Sequence, residues 1–378
     1  MNLADYHAGE PEERHEYRAF LPEPIHHPWV IADPELLQLL GQADRALGEL
    51  NAFSQLIPDI AFFIPMHVAK EATQSSRIEG TQTNIEDAFK SADDLKPEER
   101  DDWGEVQNYI QAINQSINRL LELPLCNRLL RETHAILMQG VRGEQKMPGE
   151  FRVSQNWIGV SLKNAVFVPP HHDHVPDLMS DMEKFLQDDT IVVPPLIKIA
   201  IAHYQFETIH PFLDGNGRLG RLMISLYLAS EGLLHQPALY LSDYFERNKT
   251  AYVDHLMAVR QGNHMREWLI FFLFGVEETA RASAGVFRAI LALKERIERE
   301  VLPRFSARRQ DNAHAIMHNL YARPILDVKS ATAITGSSTN TASALIDDLV
   351  SYGVLVELTG QRRNRLFAFD EYISLFRR

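Results

Sequence analysis

The twelve residues from His210 to Arg221 read His-Pro-Phe-Leu-Asp-Gly-Asn-Gly-Arg-Leu-Gly-Arg. They bring together a proton acceptor, a carboxylate, a glycine-rich turn and two arginines, a set that can hold a polyphosphate and activate a hydroxyl beside it. An imidazole with an unperturbed pKa of about 6.5 accepts a proton at neutral pH. His210 is therefore the candidate general base. Gly215 and Gly217 let the chain turn tightly, and unpaired N–H groups where a turn opens a helix favour anions. Arg218 and Arg221 are three residues apart and share one side of the first helical turn. Their guanidinium forks suit phosphate oxygens. Asp214 offers a hard oxygen to magnesium, which is usually held by one or two carboxylates together with substrate phosphates.

These residues need elements to place them. From Ile197 to Ile209 apolar residues recur at helical spacing, with Ile197, Ala200, Ile201, Tyr204 and Ile209 near one face. Pro211 opposes continuation of that helix and biases His210 away from helical backbone. His210 should sit where the helix gives way to a loop, with Phe212 pinning the loop to the core. A second amphipathic helix should open at the glycine turn. Other readings compete. Gly215-Asn-Gly-Arg-Leu-Gly220 matches a dinucleotide fingerprint, which needs a preceding strand; the preceding segment has helical period. Glu207 and His210 have the spacing of a bundle metal motif, which needs a second such pair on a neighbouring helix. The other matches, Glu12/His15 and Glu23/His26, fall in an irregular N-terminus. A helix pair with a polar turn and solvated arginines explains each Arg or Gly singly, but not the whole run.

The run resembles the signature of the Fic family, His-x-Phe-x-(Asp/Glu)-Gly-Asn-Gly-Arg-x-x-Arg, at every fixed position. That family is an all-helical fold that typically transfers AMP from ATP to a hydroxyl of a protein. The resemblance implies that His210 is the general base for a target Tyr, Ser or Thr and that Asp214 binds magnesium or manganese. It implies that Asn216, with the amides of Gly215 and Gly217, holds the α-phosphate region. Arg218 and Arg221 would engage the outer phosphates. Leu219 and Gly220 complete the nucleotide-binding run.

Two further segments fit the same family. Ser75-Ser-Arg-Ile-Glu79-Gly80 matches its inhibitory pattern, (Ser/Thr)-x-x-x-Glu-(Gly/Asn), about 130 residues before the signature. A glutamate paired with Arg221 removes the cation that should grip the γ-phosphate and puts negative charge where phosphate must go. ATP then binds with its α-phosphate misplaced, and misplacement costs rate steeply. The stretch Gly149–Pro170 is rich in Val, Ile, Phe and Trp with turn residues between, which favours a short hairpin. It resembles the family's flap, which pairs by strand addition with the target backbone; Val166 and Phe167 would face the site. Tyr240, Tyr244, Asn248, Tyr252 and Arg260 occupy a region that lines the nucleotide pocket in the family. Tyr252 or Tyr244 is the candidate to stack on a base, the alternative being that both are core. His171-His-Asp-His174 reads as a polar loop leading into a helix at Val175–Leu186, since zinc sites pair such ligands with others at helical or Cys-type spacing.

The 378 residues suffice for two or three units with real cores. A composition 45% hydrophobic and 24% charged is ordinary for a soluble chain. No apolar run nears the roughly 20 residues of a membrane helix, and the polar first residues lack a signal pattern. A single cysteine, Cys126, excludes an intrachain disulfide and fits a cytoplasmic location. A net charge of −13 argues against a general nucleic-acid coat.

The fold class expected is mainly α: a Fic-type helical core with a short β-hairpin flap, followed by a small winged helix-turn-helix domain. Residues 1–32 form an extended arm. Residues 33–303 form the catalytic domain, with the inhibitory helix at about 66–80, the flap at about 153–168 and the active-site loop at 210–221. Separate helices are expected at Met265–Phe274 and from Glu277 to about Glu300. Residues 304–378 carry ten basic against seven acidic residues. There Ser330–Thr335 and Ser338–Ser351 read as a helix-turn-helix, with Val354–Leu358 and Leu366–Phe369 as a wing. Arg362, Arg363 and Arg365 are candidates for DNA phosphates. Asp347 and Asp348 on the second helix point instead to protein docking or dimer contact.

The reading that follows is an autoinhibited protein adenylyltransferase that takes ATP and a protein hydroxyl, its own included, acts as a homodimer and is also capable of removing AMP. The alternative is an ATP-sensing winged-helix regulator that binds DNA. Transfer of another phosphate-bearing group is a further variant, because the signature does not identify the base.

Overall fold

The structure, a computed structural model, describes residues 1–57, 59–141, 145–360 and 364–377. It is mainly helical. The N-terminal arm is more ordered than its polar composition suggests. Strands β1 (Gly9–Glu13) and β2 (Arg18–Pro22) pair antiparallel, and Tyr6, Ala8, Ile25 and Trp29 are buried. Gly-Glu-Pro-Glu-Glu has no strand propensity of its own. The hairpin forms because its neighbours supply a surface: the Phe20 amide donates to the Val168 carbonyl at 3.0 Å, tying the arm to the far side of the flap.

Helix α1 (Pro34–Leu56) opens as its Asp-Pro-Glu start requires, with the Asp33 carboxylate capping the Leu36 amide and proline in the first turn. Then come α2 (Ile64–Ile78), α3 (Arg100–Arg119) and α4 (Asn127–Leu137). A two-stranded antiparallel hairpin, β3 (Ile158–Gly159) with β4 (Ala165–Phe167), occupies the flap region. A polar turn through His171–His174 leads into α5 (Val175–Gln187). His171, His172 and Asp173 gather their ligand atoms within 4.8 Å there, and His174 meets Glu12 of the arm at 3.3 Å.

Helices α6 (Pro195–Ile209) and α7 (Asn216–Ser230) form the centre of the fold. The one-faced reading of α6 is corrected: every residue from Leu196 to Ile209 is buried. A helix enclosed on all sides by other helices has no solvent stripe. Its polar residues are satisfied internally, as when His203 meets the Gly220 carbonyl at 3.0 Å and the Tyr252 hydroxyl at 2.9 Å.

Helix α8 (Leu241–Arg247), absent from the sequence expectations, precedes α9 (Lys249–Gly262). The two helices expected from Met265 to Glu300 are one, α10 (Met265–Glu300). Gly275, between the two expected helices, allows close approach: a Cβ there would lie 2.5 Å from the Tyr244 ring. Helix α10 runs along α1 as the long support of the core.

The C-terminal elements are α11 (Ala307–Ala322), β5 (Ile325–Asp327), α12 (Val328–Thr335), α13 (Thr339–Ser351), β6 (Val356–Glu357), β7 (Leu366–Ala368) and α14 (Asp370–Ser374). The strands form an antiparallel sheet in the order β5-β7-β6. Strand β5, missed in the sequence, is three residues long and buried. These elements pack on the first turns of α2: Phe63 meets Tyr321 edge-on at 5.2 Å, and the buried His67 meets Phe376 at 4.9 Å. The Asp347 and Asp348 carboxylates hold Arg365 and Arg309 at 3.5 and 2.6 Å, and Glu357 also takes Arg365 at 2.8 Å. Arg362 and Arg363 lie outside the described residues. Among the described residues no single helix is long and apolar enough to cross a membrane.

Candidate active site

His210 caps α6. Its backbone adopts the left-handed conformation (φ 50°, ψ 61°) rather than the extended one that a following proline favours. A non-glycine residue there is uncommon, and neighbours hold it. Arg152 Nε and Asn156 Nδ2 both donate to the His210 carbonyl, at 3.0 and 3.1 Å. The Arg152 amide donates to the Pro211 carbonyl at 2.9 Å, and Asn156 Nδ2 also reaches the Phe212 carbonyl at 2.9 Å. Phe212 is fully buried and stacks on His134 with ring centroids 3.8 Å apart. The segment just before the flap thus builds the loop.

A cavity of about 650 Å³ opens beside this loop. His210, Asp214, Gly215, Asn216, Gly217, Arg218 and Arg221 line one wall. Tyr252 and Arg260 of α9, Glu207 of α6, Val166 and Phe167 of β4, and Glu79 and Gly80 at the end of α2 complete it. That volume is in the range of small-molecule sites, ~300–1,000 Å³. Val166 is exposed and Phe167 buried. The Arg260 guanidinium lies 3.9 Å from the Phe167 ring centroid and donates to the Glu207 carbonyl and the Thr208 hydroxyl.

Arg221 is gripped from α2. Its Nε donates to Ser75 Oγ at 2.9 Å, and its Nη2 to the Ser75 carbonyl at 2.9 Å and to Glu79 Oε1 at 2.6 Å. Burial raises the Glu79 pKa, but Arg221, Arg218 and His210 outweigh it and hold the carboxyl below its usual value. Arg218 donates to Glu105 Oε2 of α3 at 3.1 Å. Asp214 takes the Gly215 amide at 2.7 Å on Oδ1 and the Lys146 ammonium at 2.9 Å on Oδ2. Against its partial burial, these contacts lower its pKa. The His210 pKa falls to about 4, first through burial and then through Arg260 and Arg152. The imidazole is neutral at neutral pH, the form a base requires.

Asn216, Leu219 and Gly220 also have packing roles in this loop. Both polar atoms of the Asn216 side chain engage the loop: its Oδ1 takes the Phe212 amide and its Nδ2 donates to the Phe212 carbonyl, both at 2.8 Å. Leu219 is fully buried in the core. Gly220 faces α6, where a Cβ would lie 2.3 Å from Glu207 Oε1. Of the aromatic candidates, Tyr252 lines the cavity, whereas Tyr244 packs against Phe271 at 5.0 Å and Tyr240 under Lys70 at 4.5 Å.

Sequence reasoning missed Glu105, Lys146, Arg152 and Lys249, and weighed Glu207 only as half of a metal motif. Glu207 carried a signal: a carboxylate one turn before His210 in an otherwise apolar helix. Burial raises its pKa to about 7. Lys146 and Glu105 carried none, being single charges in distant segments.

The magnesium expectation can be tested on the donor set. Asp214 is a half-exposed carboxylate with one oxygen fixed by a backbone amide and the other held by an exchangeable ammonium. Such a group suits a hard cation that takes few protein ligands.

Comparison with known proteins agrees with this geometry. Residues 37–118 match the family model described as Fic/DOC family N-terminal, and residues 124–228 the model described as Fic/DOC family. The chain is 30% identical over 117 residues to protein adenylyltransferase fic-1 of Caenorhabditis briggsae, covering 28% of this chain and 22% of that protein. It is 24% identical over 200 residues to a protein of Aquifex aeolicus named a probable protein adenylyltransferase, covering 53% of this chain and 57% of that one. The chain therefore spans well under two thirds of these relatives. Among solved structures, a Fic family protein from Desulfovibrio desulfuricans superposes with a TM-score of 0.56 at 19% identity, covering 90% of this chain and 98% of that one. A Fic-1 fragment from Caenorhabditis elegans gives 0.50 at 20% identity, covering 69% of this chain and 74% of that one. At such identities these likenesses establish the fold.

Proposed function

The chain belongs to the Fic/DOC family, and on that premise we propose that it is a protein adenylyltransferase held off by its own Glu79. The observation that carries the reading is the convergence of His210, Asp214, Arg218 and Arg221 on one cavity, with Glu79 lying on Arg221. A target hydroxyl gives its proton to the His210 imidazole as its oxygen attacks the α-phosphorus of ATP. The bond from that phosphorus to the bridging oxygen breaks, and diphosphate leaves. The amides at the start of α7 and the two arginines stabilise the phosphate charge, so the acceleration rests on positioning and electrostatics. Asp214 would hold magnesium, which supplies charge neutralisation at the phosphate oxygens when bound. Val166, exposed on β4 at the rim, is the edge against which a target strand would pair.

Glu79 takes the guanidinium that a γ-phosphate needs. Its side chain is also about 41% exposed, which supports a second activity at the same site, the orientation of a water that removes AMP. The residues from 304 onward have the element order of a winged helix. Arg309, Arg365 and Arg377 are spent on acidic neighbours, which favours protein docking over DNA for that unit.

The test is to incubate the Glu79→Gly form with magnesium and each nucleoside triphosphate in turn, and to read the mass added to protein. We expect AMP from ATP on a hydroxyl, with labelling abolished by a further His210→Ala change. Equal labelling with and without His210, or no nucleotide mass from any triphosphate, defeats the proposal.

A further inference from the structure

Lys249 is the first residue of α9. A cation at a helix N-terminus opposes the dipole of its own helix, so this residue is badly placed for the element that carries it. Its ammonium reaches across to α2 and donates to the Ile78 carbonyl at 2.5 Å. There the same charge is favourable, because the last carbonyls of a helix lack partners within it and carry the negative end of the dipole. In α2 the Ser76 and Arg77 carbonyls take the amides of Glu79 and Gly80. The Ile78 carbonyl takes Lys249.

That carbonyl belongs to the peptide unit joining Ile78 to Glu79. Holding it fixes the plane from which the Glu79 side chain departs toward Arg221. The other holds on the end of α2 are the Glu79 and Gly80 amides on Ser76 and Arg77 and the Arg221 guanidinium on Ser75; beyond them Gly80 follows with φ +107°, and the Glu79 side chain is partly open to the cavity. Lys249 lines that cavity too, together with Arg218 and Arg221.

We propose that Lys249 is the positioning residue of the inhibitory glutamate, and the group through which a bound nucleotide loosens it. Without nucleotide, Lys249 anchors the Ile78–Glu79 peptide and so keeps Glu79 on Arg221. A triphosphate in the cavity offers the ammonium several negatively charged oxygens in place of one neutral carbonyl, and attraction between opposite charges favours the exchange. Once Lys249 turns to the phosphates, the end of α2 loses its cap and Glu79 loses its fixed origin. The substrate thus helps to displace its own inhibitor. This inference rests on the reading of Glu79 as inhibitory.

The experiment compares the parent with Lys249→Met and Lys249→Arg. Without nucleotide, amide hydrogen exchange over residues 76–81 should speed up about fivefold in the Met form, as expected for loss of one local hold, and stay near parent in the Arg form. With ATP, the Met form should label faster than parent. Placed on Glu79→Gly, it should raise the KM for ATP with no further gain in kcat, a split that general loosening of the fold would not produce. The α,β-methylene analogue of ATP, whose scissile link is blocked, should with magnesium speed exchange at 76–81 in the parent and leave the Met form unchanged. Parental exchange and labelling in Lys249→Met would overturn the proposal, as would slower exchange at 76–81 when the analogue binds the parent. If Glu79→Gly labels no better than parent, the inhibitory reading has failed instead, and the exchange data still decide the anchoring role of Lys249.

Discussion

Glu79 Oε1 lies 2.6 Å from Arg221 Nη2, and a Cβ placed on Gly217 would lie 2.3 Å from the same oxygen. The glutamate therefore occupies the first turn of α7, the ground a phosphate chain would use. Arg221 is almost wholly buried, with 2% of its side chain exposed. It cannot swing out to serve a nucleotide elsewhere while Ser75 and Glu79 hold it.

The first prediction concerns that pair. Glu79→Gly should raise self-labelling by ATP by a factor of about 10–100, the range that repositioning a reacting group commands. Autoradiography with α-labelled ATP measures it. Equal labelling of parent and variant removes the inhibitory role.

The second concerns pH. Burial, Arg260 and Arg152 lower the His210 pKa to about 4, while Glu79 acts to raise it. A lowered pKa keeps the base form present down to lower pH. In the Glu79→Gly background one opposing carboxylate is gone, so protonation moves lower still. The acid limb of kcat/KM assigned to this imidazole should therefore fall below pH 5, and the rate should not drop between pH 7 and 6 on its account. A limb centred at an ordinary histidine value contradicts the enclosed environment described here.

Arg152 gives the third. It is 2% exposed and spends its guanidinium on the carbonyls of His210 and Pro170, at 3.0 and 2.6 Å. Arg152→Met should lower kcat in the Glu79→Gly background by about 10–100-fold through misplacement of the base, with the KM for ATP nearly unchanged. Initial rates across ATP concentrations separate the two, alongside a melting curve to confirm folding. A rise in KM alone assigns Arg152 to nucleotide binding instead.

Glu207 gives the fourth. Burial raises its pKa to about 7, against the pull of Arg221 and Arg260. A carboxyl whose folded pKa is raised above its unfolded value disfavours the folded state increasingly as pH climbs from about 4.5 to 7. Glu207→Gln abolishes that titration. The variant should gain thermal stability relative to parent as pH rises through this window, by an amount on the order of 2–4 °C, and the difference should level off above it. Melting curves at pH 5 and 8 check the sign. A constant difference means that Glu207 does not titrate in this window.

The signature loop was legible because its chemistry is local. Pro211, Gly215 and Gly217 fix the turn wherever the chain folds, and Arg218 and Arg221 share a side by helical spacing alone. Ser75 and Glu79 were legible for the same reason, one helical turn apart. What could not be read were choices made by distant partners. Asn216 has the right type for a phosphate ligand, yet the Phe212 backbone takes both its polar atoms. Gly275 lies between the two helices that were expected and is a seat for Tyr244 in one continuous helix. The N-terminal hairpin and β5 have too few residues to show period-two alternation, and both exist only against neighbours. Lys249 is a single charge whose partner depends on where another helix ends.

Helix α2 spans about 22 Å at 1.5 Å per residue. One end meets Tyr321 and Phe376 of the C-terminal elements, and the other carries the carboxylate over Arg221. A single rigid rod therefore has a grip at each tip. Any molecule that binds residues 304–378 more tightly in one position of α2 than in another that frees Glu79 from Arg221 shifts the affinity of the distant cavity for ATP. By thermodynamic reciprocity, ATP shifts the affinity for that molecule by the same factor.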